Sequence, residues 1–225
     1  MSTHHIAVIP GDGIGKEIVP VGIRVLEAVS SQFDITFKWD EFPWNCENYA
    51  RTGRMMPEDG IEQLQKYDAI YLGAVGFPGV PDHVSLWGLL IPIRRLMRQY
   101  VNLRPVRMLK GMVSPLKDRG PADIDFIIVR ENNEGEYSEI GGRLYSGTKE
   151  EMVVQESVFT KKGVDRVIRF AFELAQVRKA KHVTSATKSN GIIHTMPFWD
   201  ERFAAIAGKY PDVRADQYHI DILTA

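Results

Sequence analysis

With 225 residues, the chain is long enough to bury a sizeable core, as one large domain or two small ones. Its 28 Lys and Arg against 29 Asp and Glu leave a net charge of -1, which gives no global basic surface for nucleic acid or an anionic membrane. The longest apolar stretch, Leu86 to Ile93, has eight residues, far short of the ~20 that span a bilayer.

The N-terminal MSTHHIAVIPGDG lacks the charged and then apolar order of a secretory signal. A single cysteine, Cys46, cannot form an internal disulfide, and there is no Asn-x-Ser/Thr sequon, which points to a reducing cytoplasm. With no His or second Cys beside it, Cys46 reads as structural, and His4 and His5 as an exposed terminal pair.

Strand and helix patterns then alternate, predicting an α/β architecture with helices on a largely parallel sheet. His5 to Ile9 reads as a buried strand, and a glycine turn leads into a helix with Ile18, Val21, Val25, Leu26 and Val29 at helical spacing. Phe33, Ile35, Phe37 and Trp39 alternate as a half-buried strand; Pro57 to Lys66 reads as a helix and Asp68 to Leu72 as a strand. The loop GAVGFPGVPD follows, rich in Gly and Pro like a ligand edge. Leu86 to Gln99 reads as a helix carrying Arg94, and NLRP opens an extended stretch with Arg104.

Asp125 to Arg130 is predicted as a strand with Arg130 at its end and Tyr137 on the loop beyond. Met152 to Phe159 suits a sheet strand or an extended arm. Lys161 to Val177 is a strongly periodic helix, His182 to Ala186 a strand, Asn190 to Lys209 a helix and Arg214 to Ile220 a last strand.

PGDGIG resembles a dinucleotide fingerprint but has GxGxG spacing and no evident acidic partner for a ribose, so a tight strand-to-helix turn explains Gly11, Gly13 and Gly15 equally well. Arg94, Arg104 and Arg130 offer planar, permanently charged groups that bind carboxylates in pairs of hydrogen bonds. A single arginine is more often a solvated surface charge. The set gains meaning with Tyr137 and Lys188, a phenol and an amine able to move protons. Taken alone, Lys188 in SATKSNG is an ordinary exposed loop residue, and Tyr137 an ordinary surface hydrogen-bonding group.

These segments together resemble the metal-dependent decarboxylating dehydrogenases of 2-hydroxy acids, the family of isocitrate, isopropylmalate, homoisocitrate and tartrate or D-malate dehydrogenases. The resemblance runs from IAVIPGDGIGKE to HIDIL. It implies a two-domain, non-Rossmann α/β fold, with residues 1–99 as the first part of a large cofactor-side domain. Residues 100–225 would then be a dimer-forming domain with an extended arm near 138–160. It implies that Arg94, Arg104 and Arg130 bind substrate carboxylates, that Tyr137 donates a proton, and that Lys188 is the base or its immediate partner. It places Gly73, Ala74, Val75 and Asn190 at NAD, and Asp221 at Mn2+ or Mg2+, with K+ as a further ion. Two further metal-binding aspartates and an adenosine-binding loop of the family lie beyond Ala225. The resemblance thus implies a longer enzyme, incomplete here at its C-terminal end.

Within the family, VRENNEGEYS, QESVFT and SATKSNG look most like the branch acting on tartrate or D-malate. Gly88 and Leu90 stand where isocitrate-specific members carry Ser and Asn, and Trp87 where isopropylmalate enzymes carry an acid. Isopropylmalate remains the alternative substrate, since a methylene is worth only ~1–3 kcal/mol of discrimination. The implied partner is a second copy, with Lys188 and Asp221 reaching its site; nucleic acid and membrane are not expected. An alternative of another class is a non-catalytic chain that binds dicarboxylate or dimerises.

Overall fold

The computed structural model describes residues 2–225, which divide into two compact units, one through Arg98 and the other Gln99–Ala225. The first unit is built on strand β1 (Ser2–Gly11), followed by helix α1 (Gly15–Ser30), strand β2 (Ile35–Glu41), helices α2 (Cys46–Thr52) and α3 (Gly60–Leu64), and strand β3 (Ala69–Ala74). The strands form a parallel sheet in the order β2-β1-β3. Central β1 is apolar at consecutive positions because both its faces are covered. Ile6 and Val8 pack with Val19 of α1 on one face, while Ala7 and Ile9 pack with Cys46, Ile61 and Leu64 from α2 and α3 on the other.

Helix α1 departs from the simple expectation of a buried stripe. Its inner face is Gly15, Val19 and the half-buried Ile23, whereas Ile18, Val21, Val25 and Val29 are exposed. Helix α2 was missed by periodicity, yet its ends are legible. The Asn45 side chain accepts the Asn48 N–H at 2.8 Å, and Gly53 closes the helix in the left-handed region.

The helix expected over 86–99 is segmented and shorter. Helix α4 (Asp82–Ser85) runs through a π-helical turn, Leu86–Leu90, into α5 (Ile91–Leu96). Pro92 has no N–H for the ladder, and the Ile91 N–H bonds the Leu86 carbonyl five residues back. Arg98, with φ of 54°, takes the left-handed turn that ends the segment.

The second unit contains an antiparallel pair, β4 (Val101–Arg107) with β5 (Asp125–Glu131), and an antiparallel hairpin, β6 (Gly135–Leu144) with β7 (Met152–Val158). Helix α6 (Lys161–Val177) leads to β8 (His182–Thr187), then α7 (Thr195–Ala207), β9 (Arg214–His219) and the short α8 (Ile220–Leu223). β8 and β9 are parallel. The largely parallel sheet expected from the sequence is thus four small sheets, two parallel and two antiparallel. Tyr137 lies within β6, not on a loop, at an irregularity of pairing between Gly135 and Ile140. α7 begins at Thr195 because residues 190–192 turn back, the Gly191 and Ile192 amides both reaching the Lys188 carbonyl.

Helix α6 is capped by Thr160, whose hydroxyl accepts the Gly163 N–H at 3.0 Å. Its buried stripe Val164, Val167, Ile168, Phe172 and Ala175 meets Phe203 and Ile206 of α7, forming this unit's core.

Candidate active site

In the first unit, β1 is the point where strand order reverses. α1 covers one sheet face and α2 with α3 the other, and the carboxyl ends of β1 and β3 lie at this reversal, the place where open α/β sheets take ligands. PGDGIG and Gly73, Ala74 and Val75 meet there. The Asp12 amide donates to the Ala74 carbonyl at 2.6 Å, and a Cβ on Gly11 would stand 1.9 Å from that same oxygen. Asp12 is itself buried, its carboxylate accepting the Cys46 amide at 3.0 Å and the Gly76 amide at 3.0 Å. Burial, and then hydrogen bonding to Asp12, push the Cys46 thiol up to about 11. Arg94 sits half-buried in α5, and the Trp87 ring lies 4.9 Å from the guanidinium carbon of Arg95.

In the second unit, Asn102 pairs with Arg130 and Arg104 with Ile128 across β4 and β5, so both arginines lie on one face of the pair. Arg104 Nε donates to Asn102 Oδ1 at 3.1 Å, and Asn132 Nδ2 donates to the Gln99 carbonyl at 2.9 Å, with Asn132 Oδ1 3.4 Å from Asn102 Nδ2. The Arg130 guanidinium carbon stands 5.3 Å from the centre of the Tyr137 ring. Sequence reasoning missed Asn102, Asn132 and Asp12. Their signal is one of type and place, being polar residues next to the arginines or inside the glycine turn.

Lys188 follows β8, Asp221 lies in α8 beyond β9, and the parallel pairing of the two strands brings them together. Lys188 Nζ is 2.5 Å from Asp221 Oδ2. The Lys188 hydrogen bond, outweighing the opposing effect of desolvation, holds the Asp221 carboxyl below its ordinary range. Asn190 is exposed in the turn after Lys188. Among the described residues, no three His, Cys, Asp or Glu side chains gather to hold a metal.

A match to the isocitrate/isopropylmalate dehydrogenase family spans residues 5–225. The chain belongs to that family. It is 57% identical over 227 residues to D-malate dehydrogenase [decarboxylating] of Escherichia coli (strain K12), covering 100% of this chain and 63% of that protein. It is 55% identical over 222 residues to tartrate dehydrogenase/decarboxylase of Pseudomonas putida, covering 98% of this chain and 61% of the relative. The crystal structure of isocitrate dehydrogenase from Methylococcus capsulatus matches with a TM-score of 0.83 at 27% identity, over 98% of this chain and 61% of that one. This member of the isocitrate/isopropylmalate dehydrogenase family therefore spans about three fifths of the length of those relatives. Among its described residues no helix is long and apolar enough to cross a membrane.

Proposed function

We propose that this chain belongs to a cytoplasmic enzyme that oxidises D-malate or tartrate with NAD, with decarboxylation of D-malate to pyruvate. The observation that carries the reading is 55–57% identity along the chain to two relatives named for that chemistry. The arginine-bearing face of β4 and β5 adds support, since it suits a dicarboxylate.

In this reading Arg94, Arg104 and Arg130 hold the carboxylates of the hydroxy acid and fix its orientation. Lys188 Nζ, once it has released the proton that pairs it with Asp221 at 2.5 Å, takes the hydroxyl proton, and Asp221 then holds the ammonium that results. Tyr137 Oη returns a proton to carbon once carbon dioxide has left, under the field of Arg130. Gly73, Ala74, Val75 and Asn190 serve the nicotinamide end of the dinucleotide. Gly13 and Gly76 fit that group, because both have positive φ and nothing within 4 Å of where a Cβ would stand, leaving open backbone near the carboxyl ends of β1 and β3. When bound, NAD supplies the acceptor for hydride.

Asp221 can give a hard cation one carboxylate, while Mg2+ or Mn2+ takes several oxygen ligands. The described residues do not make a complete metal site, and the chemistry assigned to this chain rests on its protein groups. A homodimer is part of the proposal, with Lys188 and Asp221 serving the partner's site. The β6 and β7 hairpin supports it, exposing Ile140, Leu144, Met152, Val153 and Val154 as an arm would.

The test is NADH formation from D-malate, tartrate and 3-isopropylmalate with Mn2+ and K+ supplied, on the protein in the length its own cell makes, verified by intact mass. Turnover of D-malate or tartrate ahead of isopropylmalate is expected. Turnover of isopropylmalate alone would transfer the assignment to that substrate, and binding of D-malate without NADH formation would replace it with a dicarboxylate-binding role.

A further inference from the structure

We infer that Asp12 is a positioning residue for the dinucleotide, clamping the turn at Val75 and Gly76, just after β3, to the turn before α1 and the start of α2. The inference rests on the proposed function and adds a residue to it. Asp12 is 2% exposed, and its carboxylate ties its own turn to two segments distant in sequence. Its own turn opens α1, through the Gly15 amide on the Asp12 carbonyl at 2.9 Å. Oδ1 takes the Cys46 amide at the start of α2 at 3.0 Å, and Oδ2 takes the Gly76 amide at 3.0 Å. The Asp12 backbone amide bonds the Ala74 carbonyl at 2.6 Å, so the side chain and main chain of one residue grip both sides of Val75.

The alternatives for this turn are few. Gly76 has φ of 141°, a conformation that glycine alone adopts readily, and it is exposed along with the residues that follow. Such a turn has little packing of its own, and in the Asp12 bond its amide is held by a buried acceptor. A carboxylate can accept from both amides at once, whereas an amide side chain would turn an N–H toward one of the two donors. Hydrogen bonds to charged groups are worth more than neutral ones, and a buried donor that loses its acceptor costs more than the bond alone. Asp12 therefore sets where Val75 and the open backbone of Gly76 stand before any ligand arrives.

The experiment compares the wild-type protein with Asp12→Asn, Gly76→Ala and the double variant, in the length its cell makes. NADH affinity is read by fluorescence titration and amide exchange over residues 41–50 and 73–80. Asp12→Asn should raise the NADH dissociation constant about 10-fold and speed exchange over 73–80 by a similar factor, with D-malate affinity measured without cofactor unchanged. Gly76→Ala has room for its methyl but strains the turn, so it should weaken NADH binding with Asp12 intact. If both act through one bond, the double variant is no weaker than the worse single one. Faster exchange with wild-type NADH affinity would make Asp12 merely structural, and additive losses in the double variant would also overturn the clamp. A wild-type protein that binds no NADH would remove the proposed function and this inference together, whereas failure in the variants alone removes only the inference.

Discussion

Lys188 and Asp221 meet at 2.5 Å although 33 residues separate them in sequence, because β8 and β9 run parallel and in register from His182–Arg214 to Thr187–His219. The ion pair closes the carboxyl end of that strand pair. Both side chains are well exposed, at 38% and 60%, so its consequence lies in orienting Lys188 more than in stability. Asp221→Asn should lower kcat on the order of 10- to 100-fold, with a much smaller change in the KM for NAD. Steady-state kinetics decide it, and an unaltered kcat would leave Lys188 without a functional partner in Asp221.

Arg130 and Tyr137 make a second coupled pair. Arg130→Ala should weaken acid binding and lower kcat/KM by about 10- to 100-fold, and Arg130→Lys should not restore it, because an ammonium lacks the planar fork. Tyr137→Phe keeps the ring beside Arg130 and removes only the hydroxyl. Protonation of the enolate should slow on the order of 100-fold while hydride transfer persists, which separate single-turnover measurements of NADH formed and pyruvate released would reveal. Equal slowing of both steps would exclude Tyr137 as the proton donor to carbon.

The Cys46 thiol, buried and pushed up to about 11, should resist modification. A thiol reagent at neutral pH is expected to label the native protein far more slowly than the protein in denaturant. Rapid stoichiometric labelling of the native state would contradict the buried placement.

Three carboxylates of the second unit lie below their ordinary range. Asp212 is held down first by its hydrogen bond from Gln176 and Asp221 by that from Lys188. Burial pushes Asp216 up, but hydrogen bonds from Thr184 and His182 and the nearby charge of Arg214 outweigh it. Depressed folded-state values contribute stability that is present above the unfolded value near ~3.9 and lost as pH falls through the folded ones. Melting temperature should therefore fall with acidification below about pH 4, and Asp216→Asn should flatten that limb. An acid limb identical in Asp216→Asn would remove this carboxylate from the explanation.

Phe172 is fully buried on α6, with its ring 5.5 Å from that of Phe203 and 5.2 Å from that of Tyr210. Phe172→Ala should destabilise the second unit by about 3–5 kcal/mol, seen as a lower denaturant midpoint. A loss under about 1 kcal/mol would mean that the neighbouring side chains collapse into the space.

The sequence by itself determined the type of the most regular elements. The apolar run Ile6–Ile9 specified a strand buried on both faces, and the period of Val164 to Ala175 specified α6, because local periodicity records which side of an element meets the core. The motif segments likewise carried the family, which the match over residues 5–225 bears out. Tertiary structure alone decided that Tyr137 stands in a strand beside Arg130, that Lys188 meets Asp221, and that Asp12 grips the turn at Gly76. It also turned Ile18, Val21 and Val25 outward, although their spacing is as regular as that of a buried stripe. Strand pairing and register join residues tens of positions apart, and neither is encoded in the spacing of neighbours along the chain.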